Sequence, residues 1–479
     1  MNARRLTVWT FAITAVALLM VALDNLVVTM ALPVIRNDLH ASLEGLEWTV
    51  NAYTLTFAVL LLTGAALGDR FGRRRLFTIG LTIFTLASAG AALSNSIETL
   101  IAARAIQGLG AAIVVPLTLT ILSAAVPAER RGLALGAWGA VGGLAVALGP
   151  VVGGAIVEGI NWHWIFWINV PIGLALIPLA RLRLAETTGA AGRLDLPGLA
   201  LASAGLLGIV YGVIRGNPEG WNSPVVVASI GVGLVLLAAF VWWERRAPAP
   251  MLPLRFFRNR AFSMANLASL LMYFGMFGSI FLLSQFLQLV QGYSPFQAGL
   301  RVLPWTLAPM FVAPIAGAMS DRVGGGLLMG VGLTLQAIGL AWLAVISTPD
   351  VSYGLLVIPF LISGVGMGLF FAPVANVVLS AVRPHEEGQA SGANNAIREV
   401  GGVFGVAVLA SVFSYYGRYD SPQLFVDGLR PAVLLGALFV AVGAVASFAI
   451  PRRLRAESRL PEQTPTAGDR SPAFARADD

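Results

Sequence analysis

The sequence contains no cysteine and no lysine among its 479 residues, and only 11% of the residues are charged. Without cysteine the chain has no disulfide, no thiol nucleophile and no cysteine metal ligand. Its three histidines, His40, His163 and His385, are far apart, and neither a P-loop nor a G-x-G-x-x-G motif after a strand is present. We therefore expect no metal, no cofactor and no enzymatic chemistry.

Apolar residues dominate the composition: 57% of the chain is hydrophobic and the mean hydropathy is +0.80. An average soluble domain has about 25% charged residues. Apolar runs of about 20 residues, each long enough to cross a hydrocarbon core as a helix, fill almost the whole chain. The first run is too long for a secretory signal, so we expect it to be retained as the first span of an all-α polytopic membrane protein.

All 31 basic residues are arginines, and the formal net charge is +7. Counted from a cytoplasmic N-terminus, 24 arginines fall in cytoplasmic segments and two within spans. The other five fall in external segments: Arg36, Arg215, Arg301, Arg418 and Arg430. This asymmetry follows the positive-inside rule. The basic excess therefore indicates topology and not nucleic-acid binding, and we expect a multi-pass plasma-membrane protein, in a bacterial inner membrane, with both termini cytoplasmic.

Fourteen spans follow from the apolar runs between charged or Gly/Pro-rich breaks. The first six lie near 6–32, 48–67, 76–94, 99–122, 132–156 and 163–181. The other eight lie near 197–215, 224–243, 261–288, 298–319, 327–346, 353–380, 390–416 and 429–450. The tail 451–479 is rich in Pro, Arg and acidic residues without periodicity, and we expect it to be disordered in the cytoplasm.

An internal repeat is visible. "GAALGDRFGRRR" after span 2 has a weaker echo, "GAMSDRVGGG", after span 10, which separates Asp69 from Asp321 by 252 positions. Gly108 in span 4 and Gly364 in span 12 are separated by 256. Two six-helix halves would repeat sooner, so spans 7 and 8 are predicted to be an insertion. Parallel halves around a midplane site are a transporter architecture.

The predicted organisation therefore has four parts. They are an N-terminal six-helix half (1–183), two inserted helices with a cytoplasmic linker (184–260), a C-terminal six-helix half (261–450) and the tail (451–479).

Four ionisable residues lie well inside the spans: Asp24 in span 1, Arg104 in span 4, and Arg398 and Glu399 in span 13. Each costs about 2.5 to 3.5 kcal/mol on insertion scales, which makes it a functional candidate. Asp24 and Arg104 lie at similar depths, so they could pair directly or through water. A purely structural pair is the alternative. A buried carboxyl group whose charged neighbour moves between two states binds and releases a proton, so we assign proton coupling to Asp24 and Arg104.

Polar and aromatic residues deeper in the spans are candidates to line a substrate cavity. Adjacent Arg398 and Glu399 diverge by about 100° on a helix, so one of the two is expected to face the cavity. Asn394 and Asn395 could bond to substrate or between helices. The aromatic candidates for stacking or cation–π contact, with helix packing as the alternative, are Tyr53, Phe57, Tyr273 and Phe277. Tryptophans near the outer ends are expected to form an interfacial belt: Trp48, Trp162, Trp164, Trp221 and Trp305.

Six motifs follow one another along the chain. They are "LDNLVVTMALP" (23–33), "GDRFGRRR" (68–75), "RAIQG" (104–108), "ALGPVVGG" (147–154), "WHWIFWINVPIG" (162–173) and "RLDLPG" (193–198). In this order and spacing, to about residue 450, the sequence resembles the major facilitator superfamily and specifically its fourteen-span drug:proton antiporter branch. The resemblance implies the major facilitator fold, with two six-helix halves plus two inserted helices.

The resemblance also implies residue roles. The loop motif implies a cytoplasmic gate that contains Asp69, Arg70, Gly72 and Arg73. The span 5 motif, which is associated with antiporters, contains Gly149, Pro150, Gly153 and Gly154. The span 4 motif supports the role of Arg104 and adds Gln107 to the cavity candidates. The chain departs from the family pattern at four positions: Leu26, Thr29, Ala65 and His163.

We therefore predict a proton-coupled exporter of small amphipathic or hydrophobic compounds, such as drugs or antibiotics, that works by alternating access. Its expected partners are a small-molecule substrate, protons and the lipid bilayer, with the chain as a monomer. A proton-coupled importer of a small organic nutrient is the alternative within transport, and the span 5 motif argues against it. A channel and a membrane-embedded enzyme are the remaining alternatives.

Overall fold

The structure, a computed structural model, describes residues 3–189, 194–383 and 386–451. It contains fourteen apolar helices long enough to cross a membrane in this part of the chain, so the predicted span count is confirmed. A chain in hydrocarbon must satisfy its backbone N–H and C=O groups within the segment, and this requirement makes each span a helix. The predicted disordered tail beyond Pro451, His385 and the side chain of Asp321 lie outside the described residues.

The fourteen helices keep the span numbers of the sequence. Spans 1 to 7 are Leu6–Asp38, Leu43–Phe71, Arg73–Ala92, Ile97–Ala125, Gly136–Gly159, Trp164–Arg183 and Leu196–Glu219. Spans 8 to 14 are Pro224–Glu244, Arg260–Val290, Pro295–Ser320, Gly325–Ile346, Tyr353–Ser380, Glu387–Tyr416 and Pro422–Phe448. The helices of spans 1 and 5 begin earlier, at Ala3 and Ala128.

Several helices start before the hydropathy pattern indicates, because polar capping residues precede the apolar run. Span 2 begins at Leu43, and the Ser42 side chain accepts a hydrogen bond from Gly45 N at 3.2 Å. Span 14 begins at Pro422 in place of the predicted 429, after Ser421, whose side chain accepts from Leu424 N. Capping side chains satisfy backbone donors that have no partner within the helix.

The two halves repeat the same local geometry. Gly72 after span 2 and Gly324 after span 10 both have positive φ, 103° and 97°, which glycine adopts without steric cost. A Cβ at Gly108 of span 4 would lie 2.4 Å from the carbonyl oxygen of Tyr53 in span 2. A Cβ at Gly364 of span 12 would lie 2.4 Å from the carbonyl oxygen of Trp305 in span 10. Both pairs of spans approach closely at equivalent places, as the sequence repeat predicts.

We define the near side of the bundle as the end where span 1 begins, and the far side as the opposite end. On the far side the halves are in contact: Gln288 Nε2 donates to the carbonyl oxygen of Met30 at 3.1 Å. Thr306 Oγ1 of span 10 donates to the carbonyl oxygen of Ala147 in span 5 at 3.2 Å. On the near side the halves enclose a cavity of about 1580 Å³. The molecule is therefore closed on the far side and open on the near side.

The inserted helices differ in how much they contact the rest of the bundle. Val210 and Ile214 of span 7 pack against Leu55 of span 2 and Val403 of span 13, one from each half. Span 8 packs on span 7 through small residues, and only 17% of its apolar window is buried. Span 7 therefore covers the seam between the halves, and span 8 faces the lipid.

The predicted tryptophan belt is wrong at two positions. Trp162 is only 2% exposed, and its Nε1 donates to Asp38 Oδ2 at 2.7 Å. Trp305 is 1% exposed and stacks on Phe360, with ring centroids 5.9 Å apart. Both rings are packed in the protein interior, because an aromatic residue near a helix end can face a neighbouring helix as well as lipid.

Candidate functional site

Asp24 lies in the middle of span 1 and forms an ion pair with Arg104 of span 4. Arg104 Nη1 is 2.5 Å from Asp24 Oδ2, and neither side chain is exposed. The predicted direct pairing of these two residues is therefore observed. A pair this deeply buried needs further hydrogen bonds to compensate for the loss of hydration.

Amide side chains supply those hydrogen bonds to Asp24. Gln107 Nε2 donates to Asp24 Oδ1 at 2.8 Å, and Asn169 Nδ2 donates to the same oxygen at 2.7 Å. Both amides also donate to Ser88 Oγ, at 2.7 and 3.1 Å. The carboxylate of Asp24 on span 1 is thus held by spans 4 and 6, and span 3 supports the two amides. Spans 1, 3, 4 and 6 all belong to the N-terminal half.

Arg104 is fixed from the other side by span 2. Its Nε donates to the carbonyl oxygen of Thr49 at 3.3 Å, and its guanidinium carbon lies 4.2 Å from the ring centroid of Tyr53. The ring centroid of Phe166 in span 6 lies 5.7 Å from the same guanidinium carbon. Arg104 Nη2 has no hydrogen-bond partner in the described part of the chain. The guanidinium therefore keeps one free donor next to the Asp24 network.

The glycines of the span 5 motif lie where helices approach closely. A Cβ at Gly149 would lie 2.7 Å from Leu26 Cβ, and one at Gly153 would lie 2.8 Å from the backbone of Val27. Both neighbours belong to span 1, close to Asp24 in sequence. Small residues therefore let span 5 approach span 1 closely, and this contact places span 5 against the helix that carries Asp24.

Gly154 and Pro150 of the same motif face the other half. A Cβ at Gly154 would lie 2.2 Å from the carbonyl oxygen of Pro295, which begins span 10. A Cβ at Gly299 of span 10 would lie 2.4 Å from the carbonyl oxygen of Pro150. The span 5 motif therefore connects two places: the helix of Asp24 and the closed far side.

The loop motif makes its contacts within itself and with the linker that follows span 6. Arg73 Nε lies 2.8 Å from Asp69 Oδ1, and Asp69 also lines the near-side cavity. Glu186 Oε1 and Oε2 accept hydrogen bonds from the backbone N of Arg74 and Arg75, at 3.0 and 3.2 Å. Glu186 thus caps span 3, whose N-cap residue Gly72 has no side chain to do so. Arg70 is exposed. The gate role of this motif stays a prediction.

Arg398 and Glu399 of span 13 point in different directions, as expected for neighbours on a helix. Arg398 donates to the Tyr273 hydroxyl, and its guanidinium lies 4.5 Å from the Tyr273 ring and 5.6 Å from the Phe371 ring. Glu399 interacts electrostatically with Tyr53 in the other half, and its Oε2 is buried without a partner among the described residues. That one of the two faces a substrate cavity stays a prediction.

The near-side cavity has a mixed wall. Its apolar part includes Leu61, Leu62, Val115, Leu119 and Trp138, and its charged part includes Asp69, Asp195, Glu244, Arg245, Arg255 and Glu386. Among the described residues that line this cavity, Asn395 is the one that belongs to the nine predicted cavity residues.

The other eight predicted cavity residues lie in packed surroundings in this conformation. Gln107 belongs to the Asp24 network, and Asn394 bonds to Asn266 and Ser269 of span 9 at 3.0 Å. Tyr53 and Phe57 pack together, as do Tyr273 and Phe277, with ring centroids 6.2 and 5.6 Å apart. Contact of these residues with a substrate stays a prediction.

Sequence reasoning missed Ser88 and Asn169. Neither carries a charge, so neither stands out against the many Ser and Asn residues of membrane helices. Asn169 follows a one-residue break, at Ile168, between the helices Trp164–Trp167 and Asn169–Arg183, within the span 6 motif. A polar residue at such a break is the signal that could have identified it.

A bundle of two equivalent halves, closed at one end and open to a cavity at the other, with a buried ion pair in one half, is a secondary transporter. A family model described as Major Facilitator Superfamily matches residues 14–406 and 266–472. The chain belongs to this superfamily.

Curated relatives cover most of the chain. The cephamycin export protein CmcT of Amycolatopsis lactamdurans is 38% identical over 443 residues, 91% of this chain and 91% of that protein. The puromycin resistance protein pur8 of Streptomyces alboniger is 35% identical over 463 residues, 94% and 92% of the two chains. The multidrug resistance protein Stp of Mycobacterium tuberculosis is 36% identical over 407 residues, 85% and 75% of the two chains. The expected resemblance to antibiotic and multidrug resistance proteins is thus confirmed.

Among solved structures, an auto-inhibited POT family peptide transporter superposes with a TM-score of 0.69. The match covers 94% of this chain and 97% of that one, at 16% sequence identity. At this identity the likeness shows the shared fold.

Proposed function

We propose that this chain is a proton-coupled exporter of small amphipathic or hydrophobic compounds, such as antibiotics. Its relatives are named for the export of cephamycin and for resistance to puromycin or several drugs. The observation that carries the coupling is the Asp24–Arg104 pair, because ionisable residues buried this deeply in a membrane are costly and mark functional sites such as proton relays.

The orientation follows from the arginines. The near side receives the runs "RFGRRR" and "ERRAPAPMLPLRFFRNR", so we place it in the cytoplasm by the positive-inside rule. The described conformation is then inward-open. Both chain ends are cytoplasmic, the membrane is a bacterial inner membrane, and the chain acts as a monomer.

A compound enters the cavity from the cytoplasm or the inner leaflet. The apolar wall at Leu61, Leu62 and Val115 receives its apolar part, and the charged residues nearby favour a polar or ionised group. Binding energy at a surface shared by both halves favours their closure around the compound. Rocking about this site then closes the near side and opens the far side.

Asp24 couples this movement to protons. In the inward-open state Arg104, Gln107 and Asn169 stabilise the ionised carboxylate. If outward opening separates Asp24 from Arg104, the buried carboxyl group gains a proton from the outside. Return to the inward-open state restores the pair and releases the proton to the cytoplasm. Each cycle thus exchanges a compound for a proton.

The decisive experiment measures efflux of a compound panel from proteoliposomes under an imposed pH gradient. The chain with Asp24→Asn should move compounds down their own gradient but should not concentrate them at the expense of the pH gradient. Asp38→Asn is the matched control, because Asp38 lies in the same helix and bonds to Trp162 outside the network. Uphill transport by Asp24→Asn would contradict the role of Asp24, and proton-driven uptake by the native chain would contradict export.

A further inference from the structure

Glu47 in the first turns of span 2 is a second buried acid that no role described above uses. Its side chain is 3% exposed, and Oε2 has no hydrogen-bond partner in the described part of the chain. One turn further on, Asn51 is fully buried, and both atoms of its amide group also have no partner there. Buried polar atoms form hydrogen bonds in the great majority of cases. Glu47 and Asn51 together form a buried polar column, and its unpaired atoms need an explanation.

The column faces the opposite half. Glu47, Asn51 and Leu62 lie on one face of span 2, because they are separated by four and eleven residues. Leu62 Cδ2 would be 2.6 Å from a Cβ at Gly392 of span 13, which shows that this face meets the C-terminal half. The opposite face of span 2 meets span 4, where a Cβ at Gly45 would lie 2.8 Å from Ile97. Glu47 therefore lies between the halves, toward the closed far side.

The charged and titratable groups near Glu47 come from every neighbouring element. They are Glu44 on the same helix, Arg36 at the end of span 1, Arg104 on span 4, Arg215 and Glu219 on span 7, Glu399 on span 13, and Tyr419 between spans 13 and 14. Two of these groups interact electrostatically with Glu47: Glu44, which has the same charge, and Tyr419.

The cations in this region are engaged elsewhere. Arg36 lies over the ring of Tyr419 at 3.8 Å, and Arg215 Nε is 2.9 Å from Glu44 Oε1. Burial raises the pKa of Tyr419, which lies outside the spans, so its hydroxyl stays neutral and donates to Gln285 Oε1 at 2.7 Å. With no cation to compensate its charge, Glu47 fits this buried place only as a neutral carboxyl group.

We propose that Glu47 is a second proton-binding site, which must take a proton from the external solution before the far side can close. The proposal rests on the proposed proton-coupled function. When the far side is open, water reaches the carboxylate and it ionises. Proton binding to a carboxylate oxygen yields the neutral acid, which can enter the interface beside Asn51. Acid on the external side therefore favours the inward-open state.

The test measures the far-side distance directly, without substrate or gradient. Since the chain has no cysteine, Leu93→Cys and Tyr416→Cys provide a unique pair of spin-label sites, exposed and at the far ends of spans 3 and 13. Double electron–electron resonance on the labelled protein in nanodiscs measures the distance between the two labels. The distance distribution gives the fractions of far-side-closed and far-side-open molecules from mildly acidic to mildly alkaline pH. For a one-proton step the closed-to-open ratio rises by up to about tenfold for each unit by which the pH falls.

Glu47→Gln should hold the far side closed and remove this component of the pH dependence. Glu47→Met, which is uncharged and of similar length, should do the same, and it replaces Glu47→Gln if that variant fails to fold. Glu98→Gln is the matched control, and it should keep the pH dependence because Glu98, at the far-side start of span 4, is exposed to solvent. Asp24→Asn should also keep the part that depends on Glu47, and the double variant with Glu47→Gln should lose it.

An unchanged pH dependence in Glu47→Gln or Glu47→Met would overturn the proposal, as would closure that follows Na⁺ at constant pH. Replacing Na⁺ by a large organic cation should leave the distances unchanged. The proposed function fails separately, if the native chain shows no transport driven by a pH gradient. The spin-label distances would then still test, independently of transport, whether Glu47 binds a proton when the far side closes.

Discussion

Arg104 Nη1 lies 2.5 Å from Asp24 Oδ2, and the two side chains are fully buried within one half of the protein. Every hydrogen bond that Asp24 accepts in the described part of the chain comes from spans of that half. The pair is therefore intact in the conformation that is open on the near side. Spans 1, 2 and 5 can couple the pair to the conformation, since each of them contacts the C-terminal half and either carries Asp24, fixes Arg104 or packs against span 1.

The first prediction concerns the energetics of the ion pair. Arg104→Leu leaves the Asp24 carboxylate buried beside two amides but without a cation, and removing one partner of a buried pair costs about 3 to 5 kcal/mol. The double variant Asp24→Asn, Arg104→Leu should recover a large part of that loss. Unfolding in mixed detergent gives the four free energies of the double-mutant cycle. A loss in the double variant equal to the sum of the losses in Asp24→Asn and Arg104→Leu would show that the two charges are not coupled.

The second prediction concerns Asn169, which positions Asp24 by donating to Oδ1. Asn169→Leu removes one donor to the carboxylate, and a hydrogen bond to a charged group contributes about 1.5 to 3 kcal/mol. Because the lost bond favoured the ionised form, the midpoint of the pH dependence of transport should move upward by about one pH unit. The maximal efflux rate should change less than the efflux rate at pH values near the midpoint. Efflux measured across a series of equal internal and external pH values provides the profile.

Thr85→Val is the control for Asn169→Leu. Thr85 lies on span 3 and bonds to the carbonyl oxygen of Leu81 in its own helix, outside the Asp24 network. A fall in rate without a shift of the midpoint in Asn169→Leu would mean that Asn169 serves packing alone. An equal shift in Thr85→Val would also argue against the positioning role.

The spans and the ion pair could be predicted because both depend on strong physical constraints. Hydrocarbon enforces helices of a minimum length, and a charge inside such a helix is too costly to occur by chance. Asp24 and Arg104 lie at similar depths, so their pairing followed from the sequence. Gly72 and Gly324 lie in the two loops that revealed the repeat, and both adopt positive φ in the structure.

The rest depends on which face of a helix meets which neighbour, and hydropathy carries no such signal here. Ser88 and Asn169 are uncharged, so nothing in the sequence connected them to Asp24. Glu47 lies beside Glu44 at a helix start, where an acid is ordinarily solvated, and the structure shows it buried. Trp305 was assigned to the interface for the same reason. The tertiary packing of a helix end therefore decides what its residues do.

The third prediction concerns closure of the far side. Gly154→Ala places a Cβ 2.2 Å from the carbonyl oxygen of Pro295, closer than non-bonded atoms approach, so the contact between the halves must open. The variant should favour the outward-open state and should transport slowly, since return to the inward-open state requires this contact. The spin-label distance between Leu93→Cys and Tyr416→Cys should lengthen.

Gly143→Ala is the matched control for Gly154→Ala. It lies on the same span, and nothing is within 4 Å of its added Cβ. It should leave the distance and the transport rate close to those of the native chain. An unchanged distance in Gly154→Ala would mean that the far side does not close by the contact between Gly154 and Pro295.

The last prediction assigns a task to the inserted span 7. Its far end contacts both halves: Arg215 Nε lies 2.9 Å from Glu44 Oε1 of span 2, and Asn217 Nδ2 donates to Ser414 Oγ of span 13 at 2.6 Å. Asn217→Ala removes the bonds to span 13 but leaves the contact with span 2. Since span 7 then no longer links the halves at this end, the far-side-open fraction should rise several-fold, as expected for the loss of about 1 kcal/mol. The spin-label pair measures this fraction.

Ser229→Ala is the control, because Ser229 lies on span 8 and bonds only to Val225 of its own helix among the described residues. If Asn217→Ala and Ser229→Ala behave alike, span 7 packs against the seam without holding the two halves together.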